Sequence, residues 1–181
     1  MEFTVVGEGL AVDLADTELL AVSPKVDLLA TEEGNEKFWE LHAGQLPEGT
    51  RAPAAGATRR LRTAVRTLLD ARVRGERPEP WAVEDVNAAA AAVPTSLRMD
   101  IAFSQEIRWH YDHGGDAALA AVARSAIELV TGPHASQLRR CAADDCSMLF
   151  VATNSRRQWC TPNLCGNRAR VARHAARAKH D

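Results

Sequence analysis

Cysteine is missing from the first 140 residues of this 181-residue chain, and aromatic side chains make up only 5% of it, with a single tyrosine. The upstream stretch therefore has no disulfide framework and few large anchors for a core. Much of the 46% hydrophobic share is alanine, which brings helices close but buries little area per residue. No run approaches the ~18 apolar residues of a membrane span. The opening MEFTVVGEGL has neither the basic nor the apolar region of a secretory leader. The expectation is a cytoplasmic protein with no membrane contact. A charged share of 25% against that apolar content excludes wholesale disorder. No glycine-rich phosphate loop, serine elbow or catalytic cysteine context occurs, so the sequence does not read as an enzyme.

Charge is unevenly placed. Residues 139–181 carry nine Lys and Arg against three acids, a net of +6, whereas the preceding 138 residues carry a net of −8. An acidic body with a basic tail suggests a polyanion-binding module on a carrier.

All four cysteines lie in that tail, as Cys141-x4-Cys146-x13-Cys160-x4-Cys165. Two close pairs separated by a loop are what a tetrahedral thiolate site requires, and zinc accepts sulfur without competing redox chemistry. Two disulfides fit poorly with a chain lacking an export signal. The spacing predicts one structural Zn2+ per chain. Its removal is expected to unfold residues from about 139 onward while the rest stays folded.

The segment from Cys141 to Arg177, CAADDCSMLFVATNSRRQWCTPNLCGNRARVARHAAR, resembles the CGNR zinc finger. The tetrapeptide is Cys165-Gly166-Asn167-Arg168, supported by Phe150, Asn154, Arg156-Arg157 and Trp159, with a basic helix after it. Gly9 to Thr17, GLAVDLADT, is similar to the opening strand of the alanine-rich ABATE domain that usually precedes this finger. The resemblance implies a stress-induced transcription regulator. Residues 1–135 would form the ABATE-like domain, sensing a signal or dimerising, and 139–181 the finger.

The fold class expected is α+β: a mainly helical N-terminal domain with small β-hairpins, then a four-cysteine, treble-clef-like finger of knuckle, hairpin and helix. Phe3–Val6 and Leu10–Leu14, split by Gly7-Glu8-Gly9, suggest a hairpin. Helices are expected over Asn35–Ala43, with Phe38, Trp39 and Leu41 facing a core, over Arg59–Arg74 after a Thr58 cap, over Ala82–Val93, and over Asp116–Val130. Pro47, Gly49, Pro53 and Gly56 mark Leu46–Gly56 as a loop. The arginines along Arg59–Arg74 read as a solvated face. Leu97, Met99, Ile101 and Phe103 alternate and predict a strand with one apolar face, paired with Glu106–Tyr111 through a Ser104-Gln105 turn. Asp13 and Asp16 read as turn formers or caps, and His110 and His113 as a surface pair.

The last helix is expected from Pro162 to about Ala178, with Thr161 capping it and Cys165 in its first turn. Arg170, Arg173, His174 and Arg177 then share an outward arc, while Arg168 turns towards the metal side. Arg168 thus reads equally as a brace for the finger or as a nucleic-acid contact. Arg156 and Arg157 add charge from the hairpin arm. The candidate nucleic-acid contacts are Arg156, Arg157, Arg170, Arg173 and Arg177. The leading function is a DNA-binding regulator, with duplex DNA as partner, and with a small-molecule effector and a homodimer as further partners of the N-terminal domain. The alternatives are an RNA-binding protein using the same surface and a zinc-stabilised protein-interaction module.

Overall fold

The computed structural model describes residues 7–19, 21, 24–110 and 116–177, without the side chains of residue 164 and residues 173–176. Phe3–Val6, Tyr111, His113 and Ala178, invoked above, lie outside these residues.

The described chain mixes helices with three two-stranded antiparallel sheets. Its centre is a short helix, α1 (Leu10–Ala15), in which all six residues are buried. This corrects the expectation of a strand. A run of apolar residues broken only by a buried Asp13 carries no period that separates helix from strand. Gly9, at φ 104°, makes the entry that a residue with a Cβ would resist. A helix buried all round can be apolar all round.

Helices α3 (Ala55–Arg74) and α5 (Ala117–Thr131) pack on α1, and α4 (Pro80–Ala91) packs on both α3 and α5. Leu14, Val65, Leu69, Val86, Val122 and Ala126 meet in the shared core. Alanines on α5 are buried almost throughout its first half, which lets the helices approach closely. The Asp116 side chain caps α5 by accepting from the Ala118 and Leu119 N–H groups, at 3.0 and 3.1 Å. Two short strands, β1 (Glu18–Leu19) and β2 (Val26–Asp27), lead into α2 (Glu32–Leu41), which Thr31 caps.

Helix α2 buries Phe38 and Trp39, but Leu41 is half exposed rather than in the core. Thr58 does not cap α3, which begins three residues earlier. Its buried hydroxyl instead receives the Trp39 indole N–H at 3.2 Å. The α3 arginines are only partly a solvated face. Arg59 donates to the Leu29 carbonyl, Arg62 forks onto Asp27, and Arg66 pairs with Asp16. Burial of Arg62 and Arg66 is tolerated because each meets a carboxylate. The Arg62 hydrogen bond, offsetting partial burial, holds the Asp27 carboxyl below its ordinary value.

The second hairpin is β3 (Thr95–Met99) with β4 (Gln105–Trp109), in register Leu97 to Ile107. Its turn is Asp100–Ser104, not Ser104-Gln105. The alternating apolar residues face solvent: Leu97, Met99, Ile101 and Phe103 are 70, 67, 104 and 86% exposed. His110, at the hairpin's base, hydrogen-bonds to the Ser96 hydroxyl through Nε2.

Candidate metal centre and basic face

The C-terminal segment begins with a third hairpin, β5 (Leu138–Arg140) and β6 (Leu149–Val151). Cys141 follows β5 directly. Its N–H donates to the Met148 carbonyl at 2.9 Å, extending the hairpin to its neck. Cys146 sits at the end of the intervening turn, where its N–H donates to the Ala143 carbonyl. Cys160 returns after the second arm, with its N–H directed at the Cys141 sulfur, 3.4 Å away. Cys165 lies in a single wide helical turn, Pro162–Gly166, which runs into α6 (Asn167–Arg177). The predicted final helix is therefore present with a π-type first turn. Thr161 does not cap it, since its buried hydroxyl makes no hydrogen bond among the described residues. The Thr161 carbonyl instead accepts from the Gly166 N–H at 3.1 Å.

These elements bring the four sulfurs within 4.8 Å of one another. Cys146 and Cys160 are 3.8 Å apart and Cys160 and Cys165 3.5 Å. Four sulfurs each at ~2.3 Å from a tetrahedral zinc would stand about 3.8 Å apart, so the donor set fits the ion. Cys141, Cys160 and Cys165 are buried and Cys146 partly so. Among themselves the thiols already favour one anion. The Cys160 hydrogen bond, against some burial, lowers Cys146 to about 5. Burial and the neighbouring sulfurs push Cys165 up to about 11, and hydrogen bonding to Cys146 raises Cys160. A cation that replaces those thiol protons relieves the crowding. Four protein thiolates complete a tetrahedron, which makes the site structural rather than catalytic.

Phe150, Met148 and Ala152 form a small core behind the cysteines, with Trp159 packed against it. Gly166 gives Trp159 its space: a Cβ there would stand 3.2 Å from the indole Cδ1. Asn154 organises the hairpin arm by accepting the Arg156 N–H at 2.7 Å.

The arginines named from sequence separate into two groups. Arg168 turns towards the metal side. Its Nη2 donates to Asp145 at 3.0 Å and lies 3.3 Å from the Cys165 sulfur. Arg157, expected from the sequence to contact nucleic acid, has internal partners. Its guanidinium pairs with Glu8, donates to the carbonyls of Val151, Trp159 and Cys160, and lies over the Phe150 ring. A guanidinium has five N–H donors in a fixed fork, and this one is committed inside the protein. By contrast Arg156, Arg170 and Arg177 are exposed, and no ion pair to them occurs among the described residues. Arg173 shares the face of Arg170 and Arg177 by helical register, but its side chain lies outside the described set.

Sequence reasoning missed what holds the segment in place. Leu138 and Leu149 belong to the main core. Along the outer edge of β6, the Leu149 N–H donates to Asp16 and the Val151 N–H to Glu8 at 2.8 Å. Arg66 reaches the Ser147 carbonyl at 2.7 Å, and Arg140 pairs with Asp70 at 2.6 Å. Two acids of the first seventeen residues thus terminate a strand more than 130 residues later. Asp13 and Asp16 do stand in the first turn and at the C-terminal end of α1, where Asp13 accepts the Glu8 N–H at 3.3 Å and Asp16 is the C-cap residue. Beyond that reading, both are buried acceptors, Asp13 for His42 and Asp16 for β6 and Arg66. Their spacing from Glu8 was the available sequence signal, and it had no visible partner.

Residues 8–133 match the model of the ABATE family, described as "Putative stress-induced transcription regulator". The chain belongs to the ABATE family. Residues 137–178 of this ABATE protein match the CGNR zinc finger. No curated protein matches it. Among its described residues, no helix is long and apolar enough to cross a membrane.

Proposed function

We propose that this ABATE protein is a regulator that binds duplex DNA through Arg156, Arg170, Arg173 and Arg177, and that it is not an enzyme. The supporting observation is the division among its arginines. Arg140, Arg157 and Arg168 each pair with an acid of the protein, the first and last at the surface, while Arg156, Arg170 and Arg177 are exposed with no ion pair among the described residues. A helix whose first turn carries a zinc ligand presents its cationic face without further ordering cost. Arginines so placed suit phosphates along a groove, and one of them can fork onto a guanine edge. The N-terminal body would hold the finger and respond to a signal. The carboxylates of Glu8 and Asp16 provide the connection, because any shift of α1 moves β6.

Titration of binding against salt tests this reading. Four phosphate contacts give a slope of log K against log salt of about −3.6 on duplex DNA. Arg156→Ala should flatten it by about one unit, whereas Arg157→Ala and Arg168→Ala should lower stability and leave the slope unchanged. Binding indifferent to salt, or to joint replacement of Arg170, Arg173 and Arg177, would overturn the reading in favour of a protein-interaction module. A stronger preference for single-stranded RNA at equal salt would overturn the choice of duplex DNA.

A further inference from the structure

The β3–β4 hairpin is an arm with a wet side and a dry side. Its register places Leu97, Met99 and Ile107 on one side and Ser96, Arg98, Glu106 and Arg108 on the other. Arg98 and Glu106 pair across the strands at 3.5 Å on the polar side. Ile107 is 51% exposed, and Ile101 and Phe103 at the tip are almost fully so. Among the described residues only the base is anchored: Thr95 and Trp109 are partly buried, and the Arg124 guanidinium lies over the Trp109 ring.

The tip is built rather than slack. Asp100 accepts the N–H groups of Ala102 and Ser104 at 2.8 and 2.9 Å. That arrangement holds Phe103 at φ 62°, a strained conformation that a bulky residue rarely adopts. The strained backbone directs an aromatic ring into solvent.

We propose that this apolar arm is the dimerisation surface of the protein, and that its occupant is the same arm of a second copy. Area supports the choice. A large side chain exposes ~150–200 Å2, so Leu97, Met99 and Ile107 on the face, together with Ile101 and Phe103 at the tip, leave roughly 700 Å2 open per copy. A monomer ordinarily leaves a largest patch of about 300–600 Å2. Two arms that bury face and tip on each other reach roughly 1,400 Å2, within the ~1,200–2,000 Å2 of a stable interface. Chemistry supports it as well. The dry side carries no charge that would call for a partner of opposite sign, and an apolar face is complementary to itself across a two-fold axis. A lone two-stranded hairpin is marginal in water and gains most from a second sheet against its apolar side. The proposal does not depend on nucleic acid.

Sedimentation of the full-length, zinc-loaded protein in the absence of DNA tests it. The expected result is twice the chain mass at micromolar concentration. Leu97→Glu combined with Ile107→Glu should raise the dimer dissociation constant about 100-fold or more, because each copy then buries unpaired charge. Both side chains are exposed in one chain, so zinc content and circular dichroism should not change. Arg98→Ala, on the opposite side, should leave the dimer intact. A wild-type monomer at ~100 μM would overturn the proposal, as would a dimer that survives the double substitution. Hydrogen exchange gives a second reading: residues 97–107 should be better protected in the wild type than in the double variant at the same micromolar concentration, and equal protection in the two would overturn the proposal.

Discussion

The carboxylate of Asp16 accepts the backbone N–H of Leu149 with both oxygens, at 3.1 and 2.8 Å, across 133 residues of sequence. It also takes Nη1 of Arg66 at 3.0 Å. One side chain at the end of the central helix thus terminates the strand that carries the zinc segment. Burial, only partly countered by Arg66 and the Leu149 N–H, pushes its carboxyl well above the ordinary value.

Replacement of Asp16 by Ala should therefore cost ~1–3 kcal/mol, because it leaves the buried Leu149 N–H without an acceptor. Arg66 loses one of its two carboxylates but keeps Asp70, 3.1 Å from its Nε. Urea unfolding measures the loss, and a change below about 1 kcal/mol would show that the contact does not carry the docking. Asp16→Asn should fall between the two, since an amide oxygen still accepts one N–H but does not neutralise Arg66.

Metal removal should reach beyond the C-terminal segment. The sequence suggests a tail that unfolds alone, but Leu138 and Leu149 sit in the main core and Asp16 and Glu8 hold β6. Cys160→Ser or chelation should thus lower the unfolding midpoint of the whole chain, by ~2–4 °C for each kcal/mol lost. Elemental analysis should give one zinc per chain, and zinc affinity should fall as pH falls, because the ligands must lose their protons. A calorimetric trace with an unchanged main transition in the Cys160→Ser variant would contradict this.

The zinc ligands were legible because their signal is local: four cysteines in two equal pairs determine a tetrahedron with little help from the rest of the fold. Helices α4 and α5 were legible from apolar period and from stops such as Pro94 and Gly132. α1 was not, since a run buried on every side has no period to read. The β3–β4 alternation predicted strand correctly and burial incorrectly, because a period states which residues share a face and not what covers it. Arg157 shows the corresponding limit for sites. Its charge was visible next to Arg156, but Glu8, which removes it from the surface, lies 149 positions away. Arg168 was placed on the metal side by helical register alone, because its partners lie within one small unit.

His42 should give the protein a stability that declines as pH rises above ~6.5. The ring is buried, with Nδ1 2.8 Å from the Phe38 carbonyl and Nε2 3.2 Å from the Asp13 carboxylate. Both nitrogens face acceptors, so both must carry protons to satisfy them, and the imidazolium form is the one that fits. Burial alone would lower its pKa, but the Asp13 hydrogen bond and charge and the Phe38 carbonyl outweigh burial and raise it. A histidine whose folded value exceeds its unfolded ~6.5 contributes stability that is fully present below ~6.5 and lost as pH rises through the folded value. Asp13→Asn keeps an oxygen near Nε2 but removes the charge. It should lower the His42 pKa and destabilise the protein by about 2 kcal/mol near pH 6, and the difference from wild type should narrow towards pH 9. Proton NMR of the His42 ring gives the direct reading: titration below 6.5 in the wild-type protein, or no shift in the Asp13→Asn variant, would show that the pair does not hold the proton.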